Sequence, residues 1–173
     1  MWQYEKRLQY PVKIKNPNPK YAQIIVSQLG GPDGEVGASL RYLTQRIAMP
    51  YSQVVGILTD VGTEELSHVE MVSTILYQLT RNLTPEEIVK SGFDTYFVDH
   101  TTGIYPVAAS GYPYSAAQFQ SKGDVLADLH EDLAADAAII KEQPLREKSR
   151  KPLKYKDFSH LGKTLKNRIP AIT

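Results

Sequence analysis

The chain of 173 residues has no cysteine. That absence removes disulfides, thiolate metal ligands and cysteine nucleophiles together, and it leaves the redox compartment open. Long apolar runs are missing as well. Nothing approaches the roughly 18 consecutive apolar residues that read as a membrane span, so no membrane partner is expected. The opening MWQYEKRLQYP is too polar and aromatic for a secretory signal. Gly30-Gly31-Pro32-Asp33-Gly34 lacks the Lys-Ser/Thr ending and the preceding strand signal of a phosphate loop, and reads as a turn. There is no solenoid repeat and no heptad array. What remains is an ordinary globular balance, 42% hydrophobic and 23% charged, long enough for one domain with a core.

The net charge of +1 hides an asymmetry. Residues 1–136 carry 10 Lys/Arg against 16 Asp/Glu, whereas residues 137–173 carry 10 against 3. A nucleic-acid-binding body is disfavoured, and only the basic tail offers a surface to polyanions or acidic partners. The composition divides the chain into a domain over residues 1–143 and a basic segment over 144–173.

Prolines 11, 17 and 19 mark residues 1–19 as an extended arm, whose Trp2, Tyr4 and Tyr10 are expected to pack on a neighbouring surface. A short helix over about Tyr21–Leu29 ends at Gly30-Gly31, and a second runs from Gly34 to Met49, stopped by Pro50. Ser52 is placed to cap a long helix reaching Leu79, a length that suits a bundle better than a doubly wound sheet. Thr84-Pro85-Glu86-Glu87 carries the signature of a helix start, and Ser91-Gly92 ends that helix. Residues 93–122, rich in Tyr, Gly, Ser and Pro, read as a crossover with brief strands joining two halves of a four-helix bundle. A third long helix spans about Gly123–Gln143, and a weaker pattern follows Pro152 to about Lys166.

The chemistry concentrates on the long helix. Val54, Leu58, Val61, Glu65, His68, Val72, Ile75 and Leu79 follow steps of three and four along one face, with two polar residues at the centre of an apolar stripe. A buried carboxylate is costly unless paired or bound to metal. Glu65 and His68, three apart, can converge on one ion or simply bond to each other. The first histidine of a His-Glu-x-x-His protease motif is absent.

Glu35 is a second candidate ligand, with first-turn stabilisation by the helix dipole as its alternative reading. Tyr42, seven residues on, is a candidate donor orienting it, or an ordinary core aromatic. Counting residues from the Pro50 turn puts Glu35 and Glu65 at one height in antiparallel helices. Asp136 interrupts the line Leu126, Leu129, Leu133, Ile140 on the third long helix and is a further candidate, or a boundary residue facing water. Asp128, Glu131 and Asp132 read as its solvated face, and His130 as surface. His160 returns to the level of Asp136 across the Pro144–Pro152 turn and is the last candidate. Glu64 lies off the long helix's stripe and is a candidate proton carrier or a surface residue.

At these residues the chain resembles the manganese catalases, and in particular the short manganese-catalase-like proteins of the bacterial spore coat. MWQYEKRLQYPV, GGPDGEVGASLRYLTQR, LTDVGTEELSHVEM and KGDVLADLHEDLAA carry the likeness over the first 136 residues. The resemblance implies an all-α, ferritin-like four-helix bundle holding two manganese ions. Glu35 would be terminal on one ion, His68 would complete its protein ligands and Glu65 would bridge both. Asp136 stands where the family supplies a glutamate, and no segment matches the fourth helix that carries the family's last histidine. Beyond Ala135 the likeness lapses.

The reaction implied is disproportionation of hydrogen peroxide to oxygen and water, with Glu65 and Tyr42 as the residues serving catalysis. The location implied is the cytoplasm or the spore coat, as a homo-oligomer, with other coat proteins as partners. Residue types alone equally admit a di-iron oxidase. A structural coat component with a weakened or inactive site is the alternative from another class, and a basic-tail adaptor is the third.

Overall fold

The computed structural model describes residues 5–98, 103–104, 107–108, 112, 114–118 and 121–141, the side chains of 97–98, 103–104 and 136–141 excepted. The chain divides into two compact units, residues 1–128 and 129–173. The fold is all-α, of the ferritin-like bundle kind. Helices α1 (Pro19–Gly30), α2 (Glu35–Gln45), α3 (Ser52–Thr80) and α4 (Pro85–Ser91) lie in the first unit. α5 (Val125–Lys141) begins there and supplies the described part of the second. Among the described residues no helix is long and apolar enough to cross a membrane.

The helix ends follow local chemistry. Pro19 sits in the first turn of α1, where its missing N–H costs nothing, and the Asn18 side chain accepts from Tyr21 N at 3.2 Å. The arm therefore ends one residue earlier than its last proline indicates. Between α1 and α2 the chain turns tightly, with Gly31 N donating to Ser27 O and Gly34 N to Gly31 O. A Cβ on Gly31 would lie 2.5 Å from Ser27 O, and one on Gly34 2.7 Å from the same atom, so these glycines serve close backbone approach. α2 stops at Gln45, and the N–H groups of residues 47–49 bond three residues back before Pro50. Ser52 opens α3 without capping it; Tyr51 holds the cap position with no side-chain bond. Thr84 and Glu87 form the expected reciprocal capping box of α4, and Gly92 ends it at φ 74°.

α1 and α2 both pack along α3. One core joins Ala22 and Val26 of α1 to Val72, Leu76 and Leu79 of α3, with Ile88 of α4 and Phe93, Tyr96 and Val107 of the crossover. The crossover is thus anchored from inside, its Phe93 and Tyr96 rings 5.1 Å apart. It contains the brief strands anticipated, β1 (Phe97–Val98) and β2 (Gly103–Ile104), paired antiparallel.

The N-terminal arm is held by main-chain bonds. Gln78 accepts from Ile14 N at 2.7 Å and donates to Val12 O at 3.0 Å, and Arg81 donates to Ile14 O at 2.7 Å. Tyr10 is 38% exposed; Trp2 and Tyr4 lie outside the described residues.

α5 corrects the sequence reading. Leu126 and Leu133, expected inside, are 68% and 45% exposed, while Asp128 and Asp132, expected in water, are 2% and 1% exposed. The reason for Asp128 is local: its carboxylate accepts from Lys122 N at 2.6 Å and Gly123 N at 3.2 Å, tying the incoming chain to the helix start. Asp124 caps the same end, accepting from Ala127 N at 2.8 Å. Gln45 Nε2 reaches Asp128 O, which fastens this first turn to α2. His130 is exposed, as expected.

Candidate metal centre

The central turns of α3 bury the predicted stripe. Leu58, Val61, Glu65, His68, Val72 and Leu79 are all buried, and Val54 and Ile75 are half-buried. Glu65 and His68 share one face because three residues nearly complete a helical turn. Glu64 is exposed and accepts from Gln9 of the arm, so it faces away from the stripe.

Glu35 arrives from α2 at the same height. It occupies the first turn, as the dipole reading requires, yet it is buried and its Oε2 lies 3.6 Å from His68 Nδ1. The Glu65 Oε2 lies 2.5 Å from the same nitrogen. One ligand atom from each of Glu35, Glu65 and His68 falls within 4.8 Å of the other two. Among the described residues this is the one group of three or more such side chains able to hold a metal ion. The two intervals counted from the Pro50 turn therefore do match in space.

Two features of the interhelical contact lie one turn from these side chains. Ser39, one turn beyond Glu35, donates from Oγ to Gly62 O at 2.6 Å, and Gly62 precedes Glu65 by one turn. A Cβ on Gly62 would lie 2.9 Å from Leu43 Cγ and 3.1 Å from Tyr42 Cβ, so the α2 side chains pack directly on the α3 backbone there. Neither residue stood out in the sequence; a Gly facing a Ser across a short turn was the available sign.

Tyr42 is buried on α2, 3% exposed. Asp136 belongs to α5, but its side chain lies outside the described part, and His160 lies outside the described residues altogether. Arg41 is a buried residue that the sequence reading missed; its guanidinium lies 3.6 Å from Asp33 in the glycine turn.

The electrostatics fit a cation. Burial pushes the Glu65 carboxyl up to about 7; the His68 hydrogen bond opposes this, and the neighbouring Glu35 charge adds to it. Burial pulls the His68 imidazole down, but the hydrogen bonds and charges of Glu35 and Glu65 outweigh it and carry the group up to about 10. Without metal, a proton on Nδ1 faces both carboxylates where a cation would otherwise sit. Two carboxylates and an imidazole form a hard oxygen-and-nitrogen donor set, suited to manganese or iron and poorly suited to soft ions. The three residues present therefore fit one such ion.

Residues 1–147 match the family model of manganese-containing catalase. Protein CotJC of Bacillus subtilis is 48% identical over 136 residues, covering 79% of this chain and 71% of its own. A probable manganese catalase of Clostridium acetobutylicum is 33% identical over 153 residues, covering 85% and 67%. The crystal structure of KatB, a manganese catalase from Anabaena, superposes with a TM-score of 0.77 at 27% identity, covering 96% of this chain and 76% of that one. With these three side chains converging and the family model spanning most of the sequence, the chain belongs to the manganese-containing catalase family.

Proposed function

We propose that the protein disproportionates hydrogen peroxide at a manganese site held by Glu35, Glu65 and His68. The observation that carries this reading is the convergence of those three buried side chains from two helices. Paired manganese ions, when bound, supply and take back the two electrons that the reaction moves. One peroxide takes two electrons and two protons, its O–O bond breaking to give two waters. A second gives up two electrons and two protons as oxygen.

The chain's own part is to bind and orient. Glu35 and Glu65 bring negative charge that offsets the cations, and His68 offers Nδ1 once its proton leaves. Val61 and Val72, one turn to either side on α3, keep water from the ligands. Tyr42 would hold Glu35 in place, and a second ion, when bound, would draw on Glu65 together with Asp136 and His160. Manganese is preferred to iron because the relatives' names carry it.

The location proposed is the cytoplasm or the spore coat, by resemblance to the coat members of the family, with a second copy of the chain and other coat proteins as partners. A structural coat component is the second reading. The aspartate at 136, where the family has a longer glutamate, favours it, because the shorter side chain weakens the second ion's hold. Elemental analysis beside an oxygen-electrode assay decides between them. Two manganese per chain with oxygen release is the expected result; one ion or none, without release, leaves the structural reading.

A further inference from the structure

We propose that Ser39 is a positioning residue for the metal ligands. Its hydroxyl fixes the axial level of α2 on α3 and thereby brings Glu35 to Glu65 and His68. This rests on the metal-centre reading above and goes beyond it by assigning the device that assembles the ligand set.

The argument starts from distribution. Glu65 and His68 are three apart on one helix, so their mutual geometry is settled by α3 alone. Glu35 comes from another helix, so its place beside them depends on how α2 sits on α3. Sliding α2 along α3 by a single residue would move its carboxylate by about 1.5 Å, enough to take it out of a shared coordination sphere. Apolar ridge-and-groove contacts resist such sliding weakly, because a neighbouring register buries similar area. A hydrogen bond to one particular carbonyl has no such degeneracy.

Ser39 supplies that bond. It is 1% exposed, and its Oγ lies 2.6 Å from Gly62 O. Gly62 has no side chain to hold the helices apart, and Tyr42 and Leu43 close over it. The bond sits one turn from Glu35 on α2 and one turn from Glu65 on α3, so an error at the contact passes almost undiminished to the ligands. A serine inside a helix ordinarily returns its hydroxyl to its own backbone. Here it bonds across to the neighbouring helix.

The test compares Ser39→Ala with Val26→Ala in the full chain. Alanine is a strong helix former and Ser39→Ala removes one atom, so the variant folds. Val26 is fully buried in the α1–α3 core and is not one of the three converging side chains, so its truncation reports loss of packing. The metal-free readout is the His68 imidazole signal in nitrogen–proton NMR spectra; the second is Mn(II) affinity followed by electron paramagnetic resonance.

Ser39→Ala is expected to shift the His68 signal and to weaken Mn(II) binding by about tenfold, as loss of ligand-orienting contacts does. Val26→Ala lowers Tm and moves neither readout. If the unaltered protein binds no Mn(II) but Ser39→Ala still shifts His68, the metal reading fails and the positioning role stands. A Ser39→Ala variant with unmoved His68 and affinity within about twofold overturns the proposal, as does a Val26→Ala variant that moves both readouts equally.

Discussion

At the scale of single residues, Glu65 is costly to the fold and useful to the site. The residue is 7% exposed, and burial pushes its carboxyl up to about 7. Removing it therefore need not destabilise the metal-free protein, since His68 keeps Glu35 as a partner. Glu65→Ala is expected to leave metal-free Tm unchanged or higher while weakening Mn(II) binding by at least about 100-fold; bound manganese equal to the parent's defeats the assignment. The same pair sets a pH dependence. Both groups bind protons more tightly folded than unfolded, Glu65 moving from 4.5 to about 7 and His68 from 6.5 to about 10. Their contribution to metal-free stability is complete below the unfolded values and is lost as pH rises through about 7 and then about 10. A bound cation displaces these protons, so its hold strengthens over the same window. The rise in Tm on adding Mn(II), measured by calorimetry, should be larger at pH 7.5 than at pH 5.5; an equal or smaller rise contradicts the shared-proton geometry. Glu65 and His68 were legible beforehand because a carboxylate within an apolar stripe is an anomaly needing a partner. Asp128 was not, because its compensation comes from two backbone N–H groups in a loop, which no side-chain period records.

Among the elements, α3 holds two glycines of opposite meaning. Gly56 has nothing within 4 Å of where its Cβ would stand, whereas Gly62 would press a Cβ against Leu43 and Tyr42. Gly56→Ala should stabilise by about 0.5–1 kcal/mol through helix propensity alone. Gly62→Ala gains the same propensity but must part α2 from α3, at a net loss of about 1–3 kcal/mol. Urea unfolding of both variants checks this; equal effects in the same direction would mean that the helices do not meet as closely as drawn. Among the described residues the helices were legible, to within a few residues at their ends, because proline, glycine and the Thr84–Glu87 box punctuate the chain. The inward face of α5 was not. Two stripes with the same three-and-four spacing compete there, and hydrophobicity pointed to Leu126 and Leu133 while burial favours Asp128, Asp132 and Ala135. Periodicity gives the angle between side chains, and only the packing partner gives the direction.

On the scale of the whole molecule, the arm shows what composition alone leaves open. Its prolines identify an extended segment, but the partner of that segment is a glutamine amide more than sixty residues away, and an amide has no sequence signature as a receptor. Gln78 meets Ile14 N and Val12 O together, so one side chain serves as a short piece of strand for the arm. Arg81 holds the next carbonyl and Asn18 N bonds to Leu79 O, so the arm is tied to the last turns of the helix that carries Glu65 and His68. Ser67 and Glu64 bond to Gln9 on the turn beside His68, which extends the same contact along α3. Replacing Gln78 by alanine removes two of these bonds and should cost about 1–3 kcal/mol, concentrated in the arm. Lys13 and Lys15 then open to trypsin in an otherwise folded protein, because proteolysis follows local release of backbone from its partners. Gln78→Ala should be cut at these lysines several-fold faster than the parent, with helical content retained and Mn(II) binding within about twofold. Cleavage at an unchanged rate would show that the remaining bonds of Arg81 and Gln9 suffice, and a parallel loss of manganese would show that the arm, too, holds α3 in the form the ligands require.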